Sequence, residues 1–110
     1  MSKMFIDWFN DIAMSVHTNA RDHGWWDEPR EDGTLIALIM SEAAEALEAL
    51  RNGNKPDEHC PQFSGAEVEL ADVVIRIMDM AEARGWDVAG AIVAKHEFNK
   101  TRPYKHGKEF

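Results

Sequence analysis

The chain has 110 residues, with 12 Lys+Arg against 20 Asp+Glu, five His, one Cys and 45% apolar residues. Its formal charge of −8 speaks against nucleic acid as a partner, because phosphate backbones are met by a net basic footprint. A single Cys rules out an internal disulfide framework.

The length suits one domain over residues 1–110, with a core thin enough that self-association would add usefully to the buried surface. The longest apolar run, Leu35–Met40, is six residues, well short of the roughly 20 that span a bilayer. Asp7 and Asp11 interrupt the region where a signal peptide needs an unbroken apolar stretch. The expectation is a cytoplasmic protein with no membrane association.

Four segments carry a helical period and none reads as a strand. From Lys3 to about Arg21, Phe5, Ile6, Phe9, Ile12, Ala13 and Val16 recur at three- and four-residue steps. His23 and Gly24 end that helix, and Trp25-Trp26-Asp27-Glu28-Pro29 reads as a loop. Asp32 or Thr34 is placed to cap a second helix that runs to Asn52 and stops at Gly53. A proline-bearing loop follows over 54–63. Ser64 caps a third helix ending at Gly85, and Asp87 caps a fourth reaching about Asn99. Helices without strands predict an all-α fold of the four-helix-bundle type.

The third helix is apolar around most of its circumference, leaving one narrow strip of Glu69, Asp72, Arg76 and Asp79. A helix of that kind is buried on several sides. A chain this short cannot cover it alone, so the bundle is expected to be completed by homo-oligomerisation, as a homodimer or homotetramer.

Four carboxylates look out of place. On the second helix Glu42 falls inside the arc of Leu35, Leu38, Ala46 and Ala49, and Glu45 lies at its edge. Glu42/Glu45 and Glu69/Asp72 are each three residues apart, so each pair points off one helix face. The 23 residues between Glu45 and Glu69 suffice to set the two helices antiparallel. Facing carboxylates repel, and a hard divalent cation such as Mg²⁺ relieves the cost with oxygen ligands. Plain salt bridges to Arg51, Arg76 or Lys95 are the competing account. A di-iron centre is disfavoured because no His follows a Glu by three.

The stretch Ser41-Glu42-Ala-Ala-Glu45 followed by Glu69-Leu-Ala-Asp72 resembles the signature of the MazG-like all-α nucleoside triphosphate pyrophosphohydrolases. Lys95, Asn99-Lys-Thr-Arg102-Pro and His106-Gly-Lys108 resemble the ends of small members of that family, and Gly24-Trp25-Trp26 precedes the second helix. The resemblance runs from about residue 23 to 108. Ser41 departs from it, standing where the fuller signature has its first Glu and bringing no charge.

The resemblance implies cleavage of a nucleoside triphosphate to its monophosphate and pyrophosphate, in the service of nucleotide-pool cleaning. It implies Mg²⁺, or Mn²⁺ in its place, held by Glu42, Glu45, Glu69 and Asp72. A carboxylate left partly free can take the attacking water's proton, and Glu45 is the one expected to do so. Lys95 and Arg102 are expected on phosphates and Asn99 on a sugar or phosphate oxygen. One of Trp25 and Trp26 is expected to stack on the base while the other packs. Two alternatives stay open: hydrolysis of dUTP/dUDP or another diphosphate-linked nucleotide, and a non-catalytic helical interaction module. His17 and His23 read as surface or capping groups, Trp8 and Trp86 as core or interface, and Met40, Met78 and Met80 as core filler.

Overall fold

The computed structural model describes residues 2–109. Four helices appear in the expected order: α1 (Ser2–Asp22), α2 (Asp32–Arg51), α3 (Gly65–Arg84) and α4 (Val88–Lys100), with a 3₁₀ turn at Tyr104–Gly107. The only sheet-like feature among the described residues is an isolated antiparallel bridge between Pro56 and Ser64, so the all-α expectation holds. Among them no helix is long and apolar enough to cross a membrane.

Local chemistry sets the helix ends. Gly24 takes φ +87°, where a side chain is strained. This reversal lets the Trp25 N–H reach the Ala20 carbonyl at 3.1 Å, closing α1 and turning two tryptophans back toward its last turns. Ser64 and Glu67 form a reciprocal capping box at the start of α3, and Gly85 ends it in the left-handed region. Asp87 accepts from the Gly90 N–H at the start of α4.

The start of α2 differs from expectation. Glu31 occupies the cap position without a side-chain bond, and Asp32 is already the first helical residue. There its carboxylate is drawn instead to Arg84 Nε at 2.7 Å, near the end of α3.

The 54–63 loop is more ordered than its prolines suggest. Its two ends are pinned by Asp57 N–H to Phe63 O and Gly65 N–H to Lys55 O, both 2.8 Å. Asn54 Oδ1 accepts a free N–H of α3 from Ala66 at 2.9 Å, answering an otherwise unpaired helix donor. These bonds fix the antiparallel run of α3 along α2. Asp32 meets Arg84 at one end, Glu42 meets Arg76 midway, and Ala49 abuts Gly65 at the other.

The core has two parts. Phe9, Ala13, Met78 and Ala89 tie α1, α3 and α4 together, flanked by Phe5, Ile6, Ile12, Val16 and Val88. Leu35, Ala46, Met80 and Ala81 are buried on α2 and α3. Helix α4 packs mainly on α1. Trp8 and Trp86 are about half exposed and Met40 is 66% exposed. Of the core-or-interface reading of Trp8 and Trp86 the core alternative is excluded, Met40 is corrected from core filler to surface, and Met78 and Met80 are buried as expected.

The capping box gives a direct test. Ser64→Ala removes the acceptor for the Glu67 N–H and should cost about 1 kcal/mol, lowering Tm by about 4–8 °C in a thermal melt.

Candidate functional site

At the seam between α2 and α3, one carboxylate oxygen each from Glu42, Glu69 and Asp72 can be found within 4.8 Å of one another. Antiparallel packing brings this about by setting the second turn of α3 against the middle of α2. All three residues are half-buried. Glu45 is exposed and lies outside this trio, yet its charge is close enough to act on Glu69.

Crowding has clear electrostatic consequences. Burial, a hydrogen bond to Glu42 and the charges of Glu45, Glu42 and Asp72 push the Glu69 carboxyl up to about 7. Asp72 is also raised, by burial first and by Glu42 next, with Arg76 pulling the other way.

Arg76 Nε donates to Glu42 Oε1 at 2.9 Å, the Glu42 side chain being 13% exposed. Of the three cations weighed as salt-bridge partners, Arg76 alone pairs with one of the four acids among the described residues; Arg51 reaches Glu48 instead. Ser41 Oγ donates to the Leu38 carbonyl at 2.7 Å, a bond within its own helix.

An open cavity of about 530 Å³ begins at this seam, with Glu42, Asp72 and Arg76 on its wall. It continues along α3 past Ile75 to Asp79. Ser15, Val16, Asn19 and Ala20 of α1 face it, and Trp25 and Arg30 close it from the loop.

The two tryptophans divide clearly. Trp25 is 60% exposed and lines the cavity. Trp26 is half-buried, and its Nε1–H is bonded to both Asp79 oxygens at 3.0 and 3.1 Å. Its ring lies against His17 edge-on at 5.3 Å. The Arg30 guanidinium sits 5.0 Å and that of Arg84 5.7 Å from its centre.

Lys95, Asn99 and Arg102 lie elsewhere. Lys95 and Asn99 flank a separate shallow groove on α4, and the Lys95 ammonium and Arg102 guanidinium sit over the Phe98 ring at 4.9 and 5.8 Å. None of the three lines the cavity that holds the carboxylates. Asn99 Oδ1 is shielded and has no hydrogen-bond partner among the described residues.

His17 corrects the sequence reading. It is part-buried, with Nδ1 bonded to Asp79 Oδ1 at 2.7 Å. His23 does act as a cap, on the Asn19 carbonyl at 2.7 Å. Asp79 and Arg76 were visible in sequence as members of the polar strip, and Arg76 was already a salt-bridge candidate for the acids it meets; the partners of Asp79, His17 and Trp26, were not. Asn19 and Arg30 carried no signal that set them apart.

Comparison with family models, curated proteins and solved structures finds no match for this chain.

The raised Glu69 carboxyl has a testable effect on stability. Folded protein holds this proton more tightly than unfolded chain, so the associated stability is present near pH 4.5 and is lost as pH rises through about 7. Glu69→Gln removes the titration. Its Tm should fall less than that of the parent chain between pH 5 and pH 7.5, measured in the absence of divalent cations.

Proposed function

We propose that the chain is a Mg²⁺-dependent nucleoside triphosphate pyrophosphohydrolase. The observation that carries this reading is the convergence of Glu42, Glu69 and Asp72, with Glu42 and Asp72 lining a cavity that an exposed tryptophan also lines. An all-oxygen donor set with partial burial suits a hard divalent cation and suits soft metals poorly. Glu42, Glu69 and Asp72 would hold the ion, with Glu45 beside them. When bound, Mg²⁺ supplies charge neutralisation at phosphate oxygens.

The residues of the chain take up the remaining tasks. Arg76, on the cavity wall between the acids and Trp25, offers a guanidinium to phosphate oxygen. Trp25 presents its ring to the base, and Trp26 holds the loop in place. Water attacks the α-phosphorus, the α–β bridging oxygen leaves with pyrophosphate, and Glu45 accepts the proton lost by the water.

The active form is proposed to be a dimer or dimer of dimers. The chain exposes 8327 Å², about 2,100 Å² more than a folded monomer of its mass by the usual scaling. Its radius of gyration is 16.2 Å, against about 13 Å for a compact chain of this length. The surplus has the size of a permanent interface. Ile36, Met40, Leu47 and Leu50 of α2 and Leu70 and Val74 of α3 supply an exposed apolar face.

Pyrophosphate release from a panel of dNTPs and NTPs tests the reaction. Release with Mg²⁺, abolished by EDTA and lowered at least about a hundredfold by Glu69→Gln, is the expected result. Monophosphate without pyrophosphate would redirect the reading to diphosphate substrates. No turnover, together with no Mg²⁺-induced rise in Tm, would favour the interaction-module reading.

The two tryptophans should separate. Trp25→Ala should raise KM about fivefold or more with Tm unchanged, whereas Trp26→Ala should lower Tm. In light scattering the parent chain should exceed the 12.5 kDa protomer mass, and Leu47→Glu should return it to that mass.

A further inference from the structure

The polar strip of α3 continues past the acids. Glu69, Asp72, Arg76 and Asp79 follow one another at steps of three, four and three, a single line along the helix. Asp72 and Asp79 are seven residues apart, two turns or about 10 Å. That is the reach from the α-phosphate of a nucleotide to the hydrogen-bonding edge of its base. Asp72, Arg76 and Asp79 all border the same cavity.

Asp79 is unusually well fixed for a cavity-lining acid. Its side chain is 15% exposed. His17 Nδ1 at 2.7 Å and Trp26 Nε1 at 3.0 Å both donate to Oδ1, which fills that oxygen. Oδ2 receives only the 3.1 Å half of the forked Trp26 bond, so it retains acceptor capacity. His17 from α1 and Trp26 from the tryptophan loop hold this α3 carboxylate on the wall of the cavity that Trp25 also lines.

We propose that Asp79 is a specificity-determining residue that selects nucleotides whose base carries an exocyclic amino group (cytosine, adenine or guanine) over uracil and thymine. This rests on the nucleotide-hydrolase reading above. A carboxylate only accepts, so it pairs with an amino group and opposes the carbonyl oxygen that uracil and thymine present in its place. A partly buried acceptor facing another acceptor loses its bond and gains repulsion. Trp25 stacks on any base and makes no such distinction, so the choice falls to Asp79.

The test compares dCTP with dUTP, which differ at this edge by an amino group against a carbonyl. Turnover and, separately, calorimetric binding of dCMP and dUMP with Mg²⁺ are measured for the parent chain and for Asp79→Asn. The parent should favour the cytosine member about tenfold to a hundredfold in both readouts. Asp79→Asn, whose amide can donate to the uracil carbonyl, should bring the ratio toward one, whereas a purely structural loss lowers both members alike. A deoxycytidine monophosphate analogue lacking the 4-amino group should bind the parent chain more weakly than dCMP but no more weakly than dUMP, since it loses the bond without gaining the repulsion, a result that does not depend on any variant folding. Equal use of dCTP and dUTP, or a preference that survives Asp79→Asn, overturns the proposal. Discrimination between dCMP and dUMP without pyrophosphate release would uphold Asp79 and reject the reaction. Binding of neither monophosphate would reject both.

Discussion

The rest of the molecule is arranged around a concentration of negative charge where α2 crosses α3. Glu42, Glu69 and Asp72 converge there, with Glu45 alongside. The seam tolerates them because Arg76 neutralises Glu42 and because Glu69 keeps its proton up to about 7. A helix pair built for stability alone would fill these positions with apolar side chains, since buried ion pairs seldom outperform hydrophobic packing. The structure instead keeps a costly cluster and opens a cavity beside it, and such conflicts between local cost and global fold concentrate at working sites.

Much of this was legible in the sequence, for identifiable reasons. Apolar residues at helical spacing located all four helices, and Ser64, Gly85 and Asp87 marked their ends because capping chemistry is local. Glu42 stood out because it interrupts an apolar arc. The start of α2 was misplaced because Asp32 is engaged by Arg84, 52 residues away in the chain, and a distant ion pair leaves no trace in local propensity. The pinned 54–63 loop escaped notice for a related reason: its order comes from Asn54 and from backbone bonds that close only once α2 and α3 are side by side.

The site divides in the same way. The metal-type acids lie on regular helices at three-residue spacing and can be read as a pattern. The Trp26–Asp79–His17 network cannot, because its members are 53 and 62 residues apart in pairs and meet only through tertiary packing. The distinction between Trp25 and Trp26 is likewise invisible in two adjacent identical letters. It arises because Gly24 reverses the chain and leaves one ring mostly exposed at the cavity, with Arg30 5.8 Å from its centre, while the other is held by Asp79, His17 and the Arg30 and Arg84 guanidinium groups.

A single helix carrying both ends of the proposed site has a mechanical consequence. Loops position reactive groups loosely, whereas side chains on one packed helix keep their spacing to within small fluctuations. Asp72 and Asp79 cannot drift apart without unwinding α3, whose start is fixed by a capping box and whose end is fixed by Gly85 and the Arg84–Asp32 bond. A base read at one end would thus set where the phosphates lie at the other. Recognition there would act on the position of the α-phosphate and on residence time together, so a poorly matched base would lose turnover as well as affinity.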